Sequence, residues 1–472
     1  MSDISKEIIK ECNDFVLKNK GVKINSETNY LSPRISSELM DCSMPMTFDQ
    51  YSFCSLGCTY CFAYMQKINN QSFTTKLHSV EVNNLIKLIS KSDELKNKRL
   101  QEMDKHFFNK RFLLHWGGMA DPFCNFEKAN HVGSTLIKEL AKTAYPTLFS
   151  FKGDAIFTPK VRKLFGKYSK NKSFAFQASI ISPSDEMSKK IEVGVQTTSE
   201  RIRAIKMLSD MGYYCILRLR PFIIGISDIG LEDMLYRCKE AGIKAISMEY
   251  MALDWRQTNS LSKRYEWIGQ LIGVNDTMRY FKNLSPKERG GYMRLNRLVK
   301  EETVKIVYKF CLENDILFAC SDPDYKELNM SGSCCGMPDN YPENKEMENW
   351  TKNQLTYHLK EARRLHHLKG KTSYLRFNKV YNPKEDTYLK CHEFTNDHIT
   401  TANKNASTRQ MLTMYDFIRD TWNNLRSPGN PRNYFNGKLL PIKADDNGNL
   451  VYKYIVSEYE DRWAKEGIDL KK

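Results

Sequence analysis

Between residues 46 and 320 the chain alternates two hydrophobic rhythms. Short apolar runs fall at 46–53, 111–116, 147–151, 173–180, 213–220 and 245–250, and helical patterns separate them at 80–105, 126–144, 159–168, 199–211 and 231–241. Strands alternating with helices of this length predict parallel βαβ units, hence an α/β fold of about six units. A further apolar run at 316–320, after a helix-like 301–312, is a candidate seventh strand.

The flanks differ. Residues 1–46 open with a helical pattern (Ile8, Ile9, Cys12, Phe15, Val16) and continue into a polar stretch at 29–34, a lead-in expected to pack outside the core. An insertion at 254–298, with Trp255, Trp267 and a turn at 287–292, is expected on the active-site side or rim, where barrel loops carry specificity. Beyond 325 the alternation stops. Helix-like stretches at 354–368 and 408–425 flank a basic, aromatic segment, and the end reads as a hairpin with Asp446-Asn447-Gly448 at its tip and 450–455 returning. The expected organisation is a lead-in (1–46), an α/β barrel (47–325) and an α+β carboxyl-terminal cap or substrate-recognition region (326–472).

Composition narrows the class. Of 472 residues, 41% are hydrophobic and 12% aromatic, enough for a large core, and 72 Lys and Arg against 56 Asp and Glu leave a net charge of +16. Such a surplus attracts phosphates; the alternative is solubility charge biased towards lysine. Thirteen cysteines, an odd count in a large chain whose start has no apolar signal core, fit a reducing cytoplasm better than disulfides. No apolar run is long enough to span a bilayer.

The chemistry concentrates in Cys54-Ser-Leu-Gly-Cys58-Thr-Tyr-Cys61, a C-x3-C-x2-C motif at the end of the first strand pattern. Gly57 lets the backbone curl so that three thiols turn to one centre, with Thr59 and Tyr60 expected to face away. A mononuclear zinc site usually has four ligands, and no second cysteine pair lies nearby. Three thiolates on an iron–sulfur cluster would instead leave one iron open. A structural zinc knuckle or buried free thiols are the competing readings.

The spacing, with an aromatic before the last cysteine, resembles the cluster loop of the radical S-adenosylmethionine (SAM) superfamily. The resemblance implies a partial (β/α)6 TIM barrel in which Cys54, Cys58 and Cys61 hold a 4Fe-4S cluster that chelates SAM. On reduction this would yield methionine and a 5′-deoxyadenosyl radical, with electrons from a donor such as flavodoxin or ferredoxin. Gly117-Gly118, in His115-Trp-Gly-Gly-Met-Ala-Asp121, resembles the Gly-Gly-Glu motif that holds the SAM amino group. Met119 stands where the acid would be, and Asp121 is the candidate substitute.

Lys152, Gln177 and Ser179, at inward barrel positions, are candidates for the SAM carboxylate or ribose. Glu192, the helix-start Arg201 and Arg220 of Arg220-Pro221 resemble the middle of the branch containing spore photoproduct lyase, where such residues line the SAM site. Glu192 and Arg201 also fit a structural ion pair. Ser199 is the expected cap of the helix carrying Arg201.

Cys124 and Cys320 are candidate hydrogen donors to a substrate radical. Cys320, Cys334 and Cys335 read as buried thiols or as ligands of an auxiliary cluster. The basic, aromatic stretch 355–390 could track a phosphate backbone, or be a solvated helical face. The preferred function is radical chemistry on a DNA or RNA base, by lyase-type repair or modification. The alternatives are radical chemistry on a small molecule, peptide or protein, and a non-catalytic zinc-knuckle protein that binds nucleic acid.

Overall fold

The computed structural model describes residues 3–28, 33–36, 38, 40–63, 76–90, 107–254, 259–285, 292–341, 343–377, 387–390, 398–399 and 412–472. The chain divides into two units: Met1–Arg34, Met46–Ser90 and Leu113–Ile316 form the first, and Ile35–Pro45, Lys91–Phe112 and Leu317–Lys472 the second.

The first unit is built on six strands: β1 (Met46–Phe48), β2 (Leu114–Trp116), β3 (Thr147–Phe151), β4 (Phe174–Ser179), β5 (Tyr214–Phe222) and β6 (Ala245–Tyr250). Each pairs in parallel with the next, through Met46↔Leu114, Leu114↔Thr147, Thr147↔Phe174, Ala175↔Tyr214 and Ile216↔Ala245. Spatial order follows chain order without a reversal, so this is the winding of a partial (β/α)6 barrel and not of a doubly wound sheet with a switch point.

The two faces of the sheet differ as that architecture requires. On the outer face Phe149 of β3 and Phe176 of β4 stack at 5.2 Å, and Phe165 of helix α4 (Pro159–Tyr168) meets both edge-on, at 5.9 and 5.0 Å. Such pairs add about 0.5–1.5 kcal/mol each beyond their area. Cys215 of β5 points the same way, its thiol reaching the Ile205 carbonyl of helix α5 (Thr198–Asp210). The opposite, inner face is polar: the His115 imidazole lies 2.7 Å from the Ser150 hydroxyl, which donates to Gln177 at 2.7 Å.

Helix boundaries follow local chemistry. Helix α5 is capped at Thr197, two residues before the expected Ser199, because Thr197 accepts from the Glu200 amide while Glu200 reaches back to the Thr197 amide in a capping box. The 126–144 pattern divides into Asn125–Asn130 and α3 (Val132–Lys142), with left-handed His131 (φ 59°) between them. Of the 80–105 pattern only residues 80–90, with α2 (Val82–Ser90), lie among the described residues, as does only part of 408–425. The lead-in folds as α1 (Asp3–Lys18). The insertion contributes α7 (Asn259–Leu271), a second helix at Thr277–Leu284 and strand β7 (Tyr292–Arg294). Trp255 and residues 287–291 lie outside the described residues.

The second unit is α+β. Its four-stranded sheet combines β9 (Tyr374–Phe377), β10 (Thr387–Lys390), β11 (Leu439–Ala444) and β12 (Leu450–Tyr454), in the order β10-β9-β12-β11, with helices that include α10 (Leu355–Lys369). β11 and β12 form the expected antiparallel hairpin around Gly448, whose φ of 75° suits glycine. The 316–320 run becomes strand β8 (Leu317–Cys320), which follows β6 in the order of the large sheet as the expected seventh strand. Among the described residues no helix is long and apolar enough to cross a membrane.

Candidate active site

Strand β1 ends at Phe48 and delivers the cysteine loop at the carboxyl end of the sheet, where ligands sit in parallel α/β folds. All three cysteines are half-buried and none is in a disulfide. Thr59 anchors the loop to the segment before Glu192: its amide and its hydroxyl both donate to the Ile191 carbonyl, at 3.0 and 3.1 Å, and Cys58 bridges to Glu192.

Helix α1 backs the loop. A Cβ built on Gly57 would stand 3.0 Å from Val16 and 3.1 Å from the Cys12 carbonyl oxygen, so glycine is needed here for close approach. From the insertion, the buried Arg264 of α7 donates to the Thr59 carbonyl at 3.3 Å, touches the Cys12 thiol at 3.8 Å and pairs with Glu11 at 2.7 Å. This places the insertion against the cysteine loop.

The donor set is all sulfur, which is the chemistry of an iron–sulfur cluster or of zinc. Among the described residues no group of three His, Cys, Asp or Glu is placed to hold one metal ion. A four-iron cluster distributes its thiolates over separate irons. Burial pushes the Cys58 thiol well up, the Lys152 ammonium pulls it down, and the neighbouring Glu192, Cys61 and Cys54 push it up again. The three sulfurs therefore share one electrostatic environment.

Tyr60, expected to face away, turns inward instead. Its hydroxyl donates to Glu192 and accepts from Lys152, whose ammonium also pairs with Glu192 at 2.8 Å and lies 4.6 Å from the Tyr60 ring centroid. The physical reason is burial: Glu192 is fully buried and its carboxylate draws every donor within reach. Its other oxygen takes Arg201, itself fully buried, at 2.6 Å. Arg201 also donates to the Ser179 carbonyl and the Ser188 hydroxyl, both at 2.6 Å. Burial alone would raise the Glu192 carboxyl, but Arg201 and then Lys152 outweigh it and hold the group at about 2. The structure thus brings Lys152, Glu192, Arg201 and Ser179 together beside Cys58.

Gly117 and Gly118 close β2. Gly117 has φ 107°, and a Cβ there would lie 2.4 Å from the Ser150 carbonyl, so no other residue fits without moving the strand. The turn after them is held by Asp49, which accepts from the amides of Met119 and Ala120, each at 2.8 Å, and pairs with Arg34. Both oxygens of Asp121 accept backbone amides, one from Phe123 at 2.8 Å and the other from Lys152 and Gly153, which fixes the β2 and β3 loops against each other. Burial pushes Asp121 up to about 6 despite these donors.

Cys124 is fully buried at the start of Asn125–Asn130 and, a fourth thiol near the loop, helps burial to push the Cys54 thiol up. Gln177 sits deeper on the inner face, bonded to Ser150. Arg220 stands 3.8 Å from Glu249 of β6. Cys320 belongs to the second unit, where its amide donates to Asn329 at 2.9 Å and its carbonyl accepts from the same side chain at 2.8 Å. Cys334 and Cys335 are half-buried in that unit.

Sequence reasoning did not reach Asp49, Arg264 and Tyr60. Asp49 carries a legible signal, an acid just after a strand in the run that leads to the cysteines. Arg264 has none, because its role depends on an insertion folding back over more than two hundred residues.

Part of the basic stretch in the second unit is internally paired. Arg363 is fully buried against the Lys472 carbonyl, Lys360 lies 3.5 Å from Glu361 and 3.8 Å from Asp339, and Arg364 pairs with Glu361 at 2.9 Å. Residues 378–386, with Lys379, Tyr381 and Lys384, lie outside the described residues.

No family model matches the sequence, and no curated protein matches it. Among solved structures, a spore photoproduct lyase mutant with bound AdoMet and dinucleoside spore photoproduct is similar at 12% identity and TM-score 0.45, over 62% of this chain and 80% of that one. A second mutant of that lyase gives 11% and 0.48, over 66% and 84%. Streptococcus suis SuiB bound to S-adenosylmethionine gives 11% and 0.35, over 57% and 48%. At these identities and scores the chemistry has to be argued from the residues of this chain.

Proposed function

We propose that this protein is a radical SAM enzyme that acts on a nucleic acid base, by lyase-type repair or by modification. The observation that carries the first half is the C-x3-C-x2-C loop at the carboxyl end of a parallel barrel, packed on the Lys152–Tyr60–Glu192–Arg201 network. Cys54, Cys58 and Cys61 would hold a 4Fe-4S cluster, and Gly117, Gly118, Asp121, Lys152, Gln177, Ser179, Glu192, Arg201 and Arg220 are the residues proposed to surround SAM. The group would supply reductive cleavage of SAM to a 5′-deoxyadenosyl radical.

The chain's own part is orientation and exclusion of water. Glu192 stays ionised, so Lys152 and Arg201 keep fixed positions; the tight Gly117 turn brings backbone close to the ligand space. Arg264 and α1 keep the cysteine loop from opening on its outer side.

The net charge of +16 supports the nucleic-acid half. Radical chemistry on a small molecule or peptide is the second reading, favoured by the internal pairing of Lys360, Arg363 and Arg364. The two separate in one assay. Single-stranded oligonucleotides should accelerate 5′-deoxyadenosine formation several-fold over the unprimed rate, whereas acceleration only by peptides or small metabolites would select the second reading.

A further inference from the structure

We propose that Cys54 and Cys124 close to a reversible disulfide in the cluster-free protein, which makes Cys124 an oxidation site that controls cluster loading. This rests on the reading of Cys54 as a cluster ligand and adds a partner and a control to it.

The pairing begins in two facing segments. Residues 50–55 run into the cysteine loop, and residues 121–127 lead from β2 into the helix Asn125–Asn130. They are joined on both sides of the two cysteines. The Gln50 side-chain amide donates to the Pro122 carbonyl at 2.8 Å, the Tyr51 hydroxyl to Glu127 at 2.9 Å, and the Asn125 amide to the Ser55 hydroxyl at 2.9 Å. Phe53 meets Phe126 edge-on at 5.1 Å. Cys54 therefore lies between Phe53 and Ser55, whose partners are the two residues that follow Cys124. Its thiol sits over the same turn: Cys124 and burial push it well up, and the Asp121 backbone pulls it down.

These joints are rigid. Gln50, Tyr51, Ser55, Phe126 and Glu127 are buried, and Glu127 also takes the amides of Gly133 and Ser134, each at 2.7 Å. A disulfide needs its Cβ atoms about 3.5–4.5 Å apart. With the two segments held at four points around the cysteines, closure is a matter of turning two side chains and not of moving backbone.

The thiols differ in access, and that assigns their order. Cys54 is half-buried and Cys124 fully buried. Cys54 meets the oxidant first, a low-molecular-weight disulfide. Its thiolate attacks one sulfur of that disulfide, forms a mixed disulfide and releases the first small thiolate; the Cys124 thiolate then attacks the Cys54 sulfur and releases the second. The protein loses two electrons and two protons, and the small disulfide becomes two thiols. Burial of the Cys54 thiol slows the first step. The product carries no charge, which suits a place walled by Phe53 and Phe126.

A Cys54 sulfur bound to iron cannot take part, so the loaded cluster and the disulfide exclude each other. The cross-link keeps two thiols from irreversible oxidation and makes loading depend on a thiol reductant.

The test uses full-length, reduced, cluster-free protein incubated anaerobically with glutathione disulfide. Remaining thiols are alkylated, and linked peptides are sequenced by mass spectrometry after tryptic digestion. The dominant link should join Cys54 to Cys124, be absent from protein first reconstituted with iron and sulfide, and vanish with dithiothreitol. The initial rate of iron uptake should fall several-fold in the oxidised wild type and recover with dithiothreitol, whereas Cys124→Ser given the same treatment should load at its untreated rate. The wild-type map decides by itself should that variant not fold.

A dominant Cys58–Cys61 link, glutathione retained on Cys54, or no link at all overturns the proposal. So does a Cys124→Ser variant slowed as much as the wild type. Failure of the cluster reading is separate: the untreated, reduced protein would then take up no iron, whatever the map of links shows.

Discussion

Lys152 and Glu192 meet at 2.8 Å beside the cysteine loop, with the Tyr60 hydroxyl bonded to both. Glu192 also holds Arg201 at 2.6 Å, so one buried carboxylate ties together the third strand's end, the cysteine loop and the start of α5. Removing only the acid leaves two cations and a phenol around a neutral group.

Glu192→Gln keeps the shape but leaves Arg201 buried without its counter-charge. Breaking a buried pair from one side costs about 3–5 kcal/mol. Urea denaturation should show a loss of that order in the variant, and a loss below about 1 kcal/mol would mean that the network contributes little to the fold.

The contact between α1 and the loop region predicts an overpacking effect. A Cβ on Gly194 would stand 2.7 Å from one methyl of Val16 and 3.2 Å from the other. Gly194→Ala should destabilise by about 1–3 kcal/mol, and the double variant with Val16→Ala should recover most of that. If Val16→Ala does not rescue, α1 does not pack here as described.

Arg264 clamps the loop from the insertion, through the Thr59 carbonyl at 3.3 Å. Arg264→Met retains the aliphatic stem and removes the donor, leaving Glu11 without its partner. The expected outcome is a loss of about 1–3 kcal/mol and a several-fold drop in iron retained after gel filtration of reconstituted protein. Iron retention equal to wild type would show that the clamp does not support the cysteines.

His115 predicts a pH effect of definite sign. Burial first, then Arg218 and Arg220, lower its pKa to about 3, against about 6.5 in an unfolded chain. Between those values the unfolded chain binds more protons, so this residue makes stability rise with pH from about 3 to 6.5 and contributes no further change above that. The slope is on the order of 1.4 kcal/mol per pH unit within the window. Comparing unfolding of the wild type with His115→Gln across pH 4–7 isolates it: the variant should lack this part of the slope, and parallel profiles would contradict the assignment.

The sequence revealed what local pattern encodes. The apolar runs at 147–151 and 245–250 coincide with β3 and β6, the six strands follow the predicted order, and the cysteine spacing located the loop. Helix starts were displaced where two residues competed to cap, as at Thr197 and Ser199. Tyr60 was misjudged because its direction depends on where Glu192 is buried, 132 residues away. Arg264 escaped notice because the Thr59 carbonyl it holds is brought in by tertiary folding, whereas Asp49, just after a strand, left a signal that was legible and not used. Among charged residues in 355–390, Arg363 looked available to a ligand and is buried, because α10 turns its face inward.

The most direct test of the central claim is anaerobic reconstitution with iron and sulfide, then reduction with dithionite in the presence of SAM while 5′-deoxyadenosine is followed. The wild type should bind about four irons per chain and form 5′-deoxyadenosine, and Cys58→Ala should do neither. Zinc bound in place of iron, with no SAM cleavage, would contradict the account and return the cysteine loop to a structural metal knuckle.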